Sequence, residues 1–185
     1  MELWEMMCTD VETWSVYVYT NDDDVIRRVF RPDGKPKSWE TRPSIQPYVN
    51  KRRKKQKPLA DIGHLTVGTF ILSEKAHHVL GSLFLQFGQL LEVDCEGETK
   101  FYFNVTNLIS FIDFEQSSKI GHAVTKPVIL PAAIPSGIQI FKDPLTIGTA
   151  IYLTTEAKVV LESLIRAEKL TGLAIFKAGE GPYQT

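Results

Sequence analysis

Residues 72–83 read LSEKAHHVLGSL, and residues 153–164 read LTTEAKVVLESL. The two stretches align without gaps, 81 residues apart, and share Leu, Ala, Val, Leu, Ser and Leu. Ser73 and Thr154 stand where a hydroxyl accepts a bond from the first-turn N–H groups and caps a helix. Glu74 suits the positive end of the helix dipole. In the first copy Ala76, Val79, Leu80, Leu83, Phe84 and Phe87 recur at i, i+3, i+4, i+7, i+8 and i+11, one continuous apolar stripe. Short apolar runs, residues 70–72 and 151–152, read as strands before each cap. Gly88 and Gly172 read as stops, so the helices span about 73–88 and 154–170. A strand at residues 173–176 completes a second strand–helix–strand unit. Each helix must lay its stripe on sheet, which predicts an α+β fold. The expectation is an antiparallel or mixed sheet packed by two main amphipathic helices. The repeat reads either as an internal strand–helix–strand duplication or as two amphipathic helices that happen to follow strands.

Working outward, residues 89–94 and 99–105, separated by Cys-Glu-Gly-Glu, predict a β-hairpin. Residues 13–19 (TWSVYVY) predict a strand with Trp14, Val16 and Val18 on one face. Asp22, Asp23 and Asp24 interrupt it, residues 25–31 read as extended, and Pro32-Asp33-Gly34 as a turn. Residues 36–58 hold four prolines and few apolar side chains and read as loop with at most a short helix. The chain of 185 residues, 43% hydrophobic and 23% charged, has globular composition. A chain of this size buries roughly 70% of its unfolded surface, so its core needs no covalent staples. It reads as a single domain over 1–185, with a variable part, 1–58, and a core, 59–178.

Lys51, Arg52, Arg53, Lys54, Lys55 and Lys57 make six cations in seven residues. Lifting them from the chain's 21 basic residues leaves 15 against 22 acidic ones, so the run sits on an otherwise acidic protein. A polyanion binder usually shapes a whole basic face. The run also lacks interleaved aromatic residues for base stacking, although Tyr48 precedes it. It reads first as a solvated loop and second as a nucleic-acid or regulatory site. Cys8 and Cys95 are too few for a disulfide framework or zinc cluster, and a reducing compartment is expected. No basic and apolar leader opens the sequence, and no apolar run reaches the ~18 residues of a membrane span. A cytoplasmic protein that touches no membrane is expected. His77 and His78, adjacent on a helix, diverge by about 100° and cannot share a metal; both read as solvated. No phosphate loop or nucleophile elbow occurs. The sequence therefore predicts no catalytic residues, no metal, no cofactor and no enzyme.

The order of segments resembles a group of bacterial immunity proteins, those of polymorphic-toxin immunity families eleven and forty-three. Phe70-Ile71-Leu72-Ser73-Glu74-Lys75-Ala76 is similar to that group's "φφφSekA" helix start. Tyr102-Phe103-Asn104-Val105 resembles its "YφLNV" strand, and NLISFIDFEQSS, residues 107–118, its "vvdaLDxekS" stretch with Asp113 and Ser117 in register. Ile140-Phe141-Lys142, Ile151-Tyr152-Leu153 and Thr171-Gly172-Leu173 resemble its closing segment, and Trp39 and Asp61 fall where it has a Trp and an Asp. The resemblance spans about residues 59–178. It implies an immunity protein that binds and neutralises a cognate toxin in a stoichiometric complex, without turnover. Partner-binding candidates are the acidic run Asp22, Asp23 and Asp24, suited to a basic toxin, and the basic run, suited to an acidic one. Monomer and homodimer both stay open.

Overall fold

In a computed structural model of the chain, the residues described are 2–9, 13–20, 28–48, 57–121 and 123–179. The elements run β1 (Leu3–Cys8), β2 (Trp14–Tyr19), β3 (Ser44–Pro47), β4 (Leu59–His64), β5 (Phe70–Leu72), α1 (Glu74–Phe84), β6 (Gly88–Cys95) and β7 (Glu98–Val105). They continue with β8 (Ile112–Ile120), β9 (Ala123–Ile129), a short 3-10 helix (Pro131–Ala133), β10 (Ile140–Phe141), β11 (Ile151–Thr154), α2 (Thr155–Glu168) and β12 (Leu173–Lys177). The fold is α+β with antiparallel and mixed sheets. Six strands close into a barrel in the order β2-β3-β6-β7-β5-β4, four form a sheet in the order β10-β11-β1-β12, and β8 and β9 form a ribbon of their own.

One pairing scheme occurs twice. In the barrel, β7 lies between β5 and β6 and runs antiparallel to both, while β4 flanks β5. In the open sheet, β1 lies between β11 and β12, antiparallel to both, while β10 flanks β11. The registers correspond residue by residue. Phe70 faces Phe103 and Leu72 faces Phe101; Ile151 faces Met6 and Leu153 faces Trp4. Leu90 faces Phe103 as Ile175 faces Met6. Ile62 faces Leu72 as Ile140 faces Leu153. Both helices start alike: the Ser73 hydroxyl accepts from Ala76 N at 3.1 Å, and the Thr154 hydroxyl from Ala157 N at 3.3 Å. His77 stacks on Phe101 with ring centres 3.7 Å apart, and Lys158, 81 residues later, sits 4.5 Å over the Trp4 ring.

The corresponding inward residues meet in one core. Ile62, Phe70, Leu72, Phe103, Ile140, Ile151, Leu153 and Met6 pack with Ala76, Leu80 and Phe84 of α1 and Ala157 and Leu161 of α2. The outer faces are covered differently. The barrel encloses Tyr17, Ile45, Ile71, Val93, Cys95 and Tyr102 with Phe30 and Leu65. The outer face of the open sheet, with Leu3, Phe141 and Tyr152, is closed by Phe111, Ile112 and Ile134.

Several expectations are corrected. The helices end earlier, at Phe84 and Glu168. Leu85 closes α1 by donating to the Gly81 carbonyl, and Gly88 opens β6. Lys169, in the left-handed region (φ 50), caps α2. Gly172 has φ 93, and a β-carbon there would collide with the Ile62 carbonyl, so this glycine lets the α2–β12 connection lie against β4. Strand β2 forms where it was expected, with Val16 and Val18 on one face and the buried Tyr17 on the other; the Trp14 side chain lies outside the described residues. Of the segment expected to be extended, Arg28 and Val29 are helical, and residues 25–27 lie outside the described residues. Strand β3 forms in the expected loop because Ile45 buries in the barrel, while Pro43 and Pro47 sit just before and at its end. The hairpin forms around Glu96 (φ 54) and Gly97 (φ 89), the doubly left-handed pair of a type I′ turn.

Candidate functional site

Between β4 and β5 the chain reads Leu65-Thr66-Val67-Gly68-Thr69, and between β10 and β11 it reads Leu145-Thr146-Ile147-Gly148-Thr149. The two turns close with the same hydrogen bonds, although Gly68 is left-handed (φ 74) and Gly148 is not. Thr69 N donates to the Thr66 carbonyl at 3.2 Å and Thr149 N to the Thr146 carbonyl at 2.9 Å. Each second threonine hydroxyl donates to the same carbonyl, at 2.7 and 3.1 Å. The turns touch: a β-carbon at Gly68 would stand 3.1 Å from the Gly148 carbonyl carbon and from Thr149 N.

Lys142 binds the two turns together. It is 1% exposed, and its Nζ donates to the Gly68 carbonyl and, at 2.8 Å, to the Ile147 carbonyl. No carboxylate among the described residues pairs with it. Burial, with the like charge of Lys37 beyond, pushes its ammonium down to about 7. The next residue, Asp143, faces elsewhere. Its carboxylate accepts from Phe111 N and Ile112 N at 2.8 and 2.9 Å and from Leu145 N at 2.7 Å, anchoring the start of β8. In the first unit the position of Lys142 belongs to His64, two residues past Ile62 as Lys142 is two past Ile140. His64 is half-buried and lines a cavity of about 80 Å³ with Met6, Cys8, Gly68 and Thr149.

A larger open cleft, about 680 Å³, borders the paired turns. Tyr19, Arg28 and Arg31 line it with Thr66, Val67, Ile147 and Gly148. Arg31 N donates to the Arg28 carbonyl at 3.2 Å, so the two arginines share one helical turn, three residues apart. Neither has an ion-pair partner among the described residues. The cleft thus combines two guanidinium groups with apolar walls from two turns.

Most of the residues singled out in the sequence are not among those described. Asp22, Asp23, Asp24, Lys51, Arg52, Arg53, Lys54 and Lys55 lie outside the described residues, as does His122. Lys57 is half-buried ahead of β4. His78 is exposed, but His77 rests on Phe101 rather than in solvent. Cys8 and Cys95 are free thiols; burial raises both, Cys95 to about 11. Among the described residues no three His, Cys, Asp or Glu side chains group to hold a metal ion, and no helix is long and apolar enough to cross a membrane. The paired turns escaped sequence reading although their signal was plain: LTVGT and LTIGT extend the helix repeat upstream, displaced by one inserted residue, Ala150. No family model matches the chain, and no curated protein matches it.

Proposed function

We propose that this protein is an immunity protein, which binds a cognate bacterial toxin in a stoichiometric complex in the cytoplasm and performs no turnover of its own. The observation that supports the reading is what the resembling residues do. Asp61 accepts from Thr171 N at 2.9 Å and from the Thr171 hydroxyl at 3.0 Å, tying β4 to the end of α2. Trp39 Nε1 donates to the Glu92 carbonyl at 2.9 Å, and the Asn104 amide donates to the Lys35 carbonyl at 2.8 Å. Ser117 donates to the Asp113 carbonyl and accepts from Val128 N at 2.8 Å, where the β8–β9 register shifts. These residues hold a frame, as expected of a group whose members share a scaffold and differ at the partner surface.

Such a complex needs a surface of standard size, ~1,600 Å² in total. For a basic toxin, Asp22, Asp23 and Asp24 supply the steering charge; for an acidic one, Lys51 to Lys57 do. Co-expression with the toxin encoded beside this gene tests the reading. Rescued growth and co-purification in equal amounts support it; unrescued growth with no co-purification contradicts it. The nucleic-acid reading makes a different demand, duplex affinity whose log–log salt slope is near −0.9 per phosphate neutralised.

A further inference from the structure

We propose that the cleft beside the paired turns binds a small organic phosphate, a phosphomonoester with an apolar or planar body. This goes beyond the toxin-binding reading and does not depend on it. The cleft's size, about 680 Å³, falls within the ~300–1,000 Å³ of small-molecule sites. Its charge comes from Arg28 and Arg31, both exposed and on one helical turn. Among the described residues no carboxylate pairs with either, and both side chains line the opening. A phosphomonoester carries about −1.5 to −2 charge near neutral pH and presents oxygens that match guanidinium forks. A single carboxylate would neutralise only one of the two arginines.

The walls suit the remainder of the ligand. Val67 is 63% exposed at the head of its turn and lines the cleft, where Ile147 lines it from the second turn. Tyr19 adds an aromatic ring, and the Thr66 hydroxyl a polar group. The site is also built to keep its shape. Lys142 and the threonine bonds fix both turns, so the walls are formed before a ligand arrives. Gly148 supplies a probe of occupancy. A β-carbon there meets no atom within 4 Å, and its backbone lies outside the left-handed region, so a larger side chain extends into space without strain.

Calorimetric titration of the full chain with AMP, phenyl phosphate, inorganic phosphate and adenosine tests the proposal. AMP and phenyl phosphate should bind, and adenosine should bind at least about tenfold more weakly than AMP. Arg28→Gln combined with Arg31→Gln should abolish phosphate-dependent binding. Gly148→Leu should block it while the thermal midpoint stays within about 2 °C of the parent's. The double variant changes only exposed side chains, so the test stands even where Gly148→Leu folds poorly. Absence of binding by either organic phosphate at millimolar concentration would overturn the proposal, as would binding that survives the double variant. Inorganic phosphate binding as tightly as phenyl phosphate would overturn the assignment of an apolar body.

Discussion

The barrel half and the open-sheet half use one pairing scheme to opposite ends. In each, a strand, a capped helix and a second strand flank a central antiparallel strand, and the inward residues correspond in register. The central strand differs in origin. In the barrel half it is β7, joined to β6 by a two-residue turn. In the open half it is β1, which pairs with strands near the other end of the chain. Position by position the inner faces stay apolar, Phe103 against Met6 and Phe101 against Trp4. The outer faces diverge: Tyr102, inside the barrel, corresponds to Glu5. The helix-facing core constrains both halves alike, whereas each outer face follows what covers it. At the seam, His64 and Lys142 hold the same place with different chemistry.

Deleting core volume gives the largest effect. Leu80 and Leu161 are both fully buried, one on each helix. Leu80→Ala and Leu161→Ala should each cost on the order of 2–5 kcal/mol in urea denaturation. A cost near zero for either would break the equivalence of the two helices.

The seam sharpens the comparison through pH. The Lys142 pKa is depressed in the folded state, so the unfolded chain binds more protons between about 7 and the ordinary lysine value of 10.5. Stability should therefore rise with pH from 7 to 9, by roughly 2 kcal/mol. Lys142→Met should flatten that rise. Above pH 9 the sign reverses. Burial raises Cys8, Cys95, Tyr17, Tyr102 and Tyr152, and the stability held in their protonated forms is lost as the unfolded chain ionises. Denaturant midpoints across this range check both limbs; a parent chain without the rise would contradict the placement of Lys142.

The caps should differ by less. Thr154→Ala and Ser73→Ala should each cost about 0.5–2 kcal/mol. Thr154 should lie at the upper end, because its hydroxyl also donates to the Gly137 carbonyl at 2.7 Å and accepts from Gln139 N at 3.1 Å. Thermal midpoints of the two variants measure the order. Smallest of all, replacing the six cations of residues 51–57 with Gln should shift stability by no more than about 0.5 kcal/mol.

The helices, their N-terminal caps and the β6–β7 hairpin were legible in the sequence because local chemistry dictates them: a 3.6-residue stripe, a hydroxyl before it, and a Glu-Gly turn. Strands β1, β3 and β4 were not. β1 alternates poorly, with Trp4, Met6 and Cys8 inward and Leu3, Glu5 and Met7 between them. β3 offers one buried residue, Ile45, between two prolines. Their identity comes from distant partners, as does the barrel's closure. Lys142 illustrates the same limit. A lysine in a polar-looking stretch reads as solvent-exposed, and only the meeting of two turns 80 residues apart in sequence buries it. The cleft needs Arg28, Arg31 and both turns at once, and no local pattern announces that.

The proposed toxin binding is tested most directly by calorimetric titration of this purified chain with the purified product of the adjacent gene, where the proposal expects the toxin. The account predicts one-to-one binding at nanomolar affinity, roughly −12 kcal/mol. No detectable heat of binding at micromolar concentrations of both proteins would contradict it.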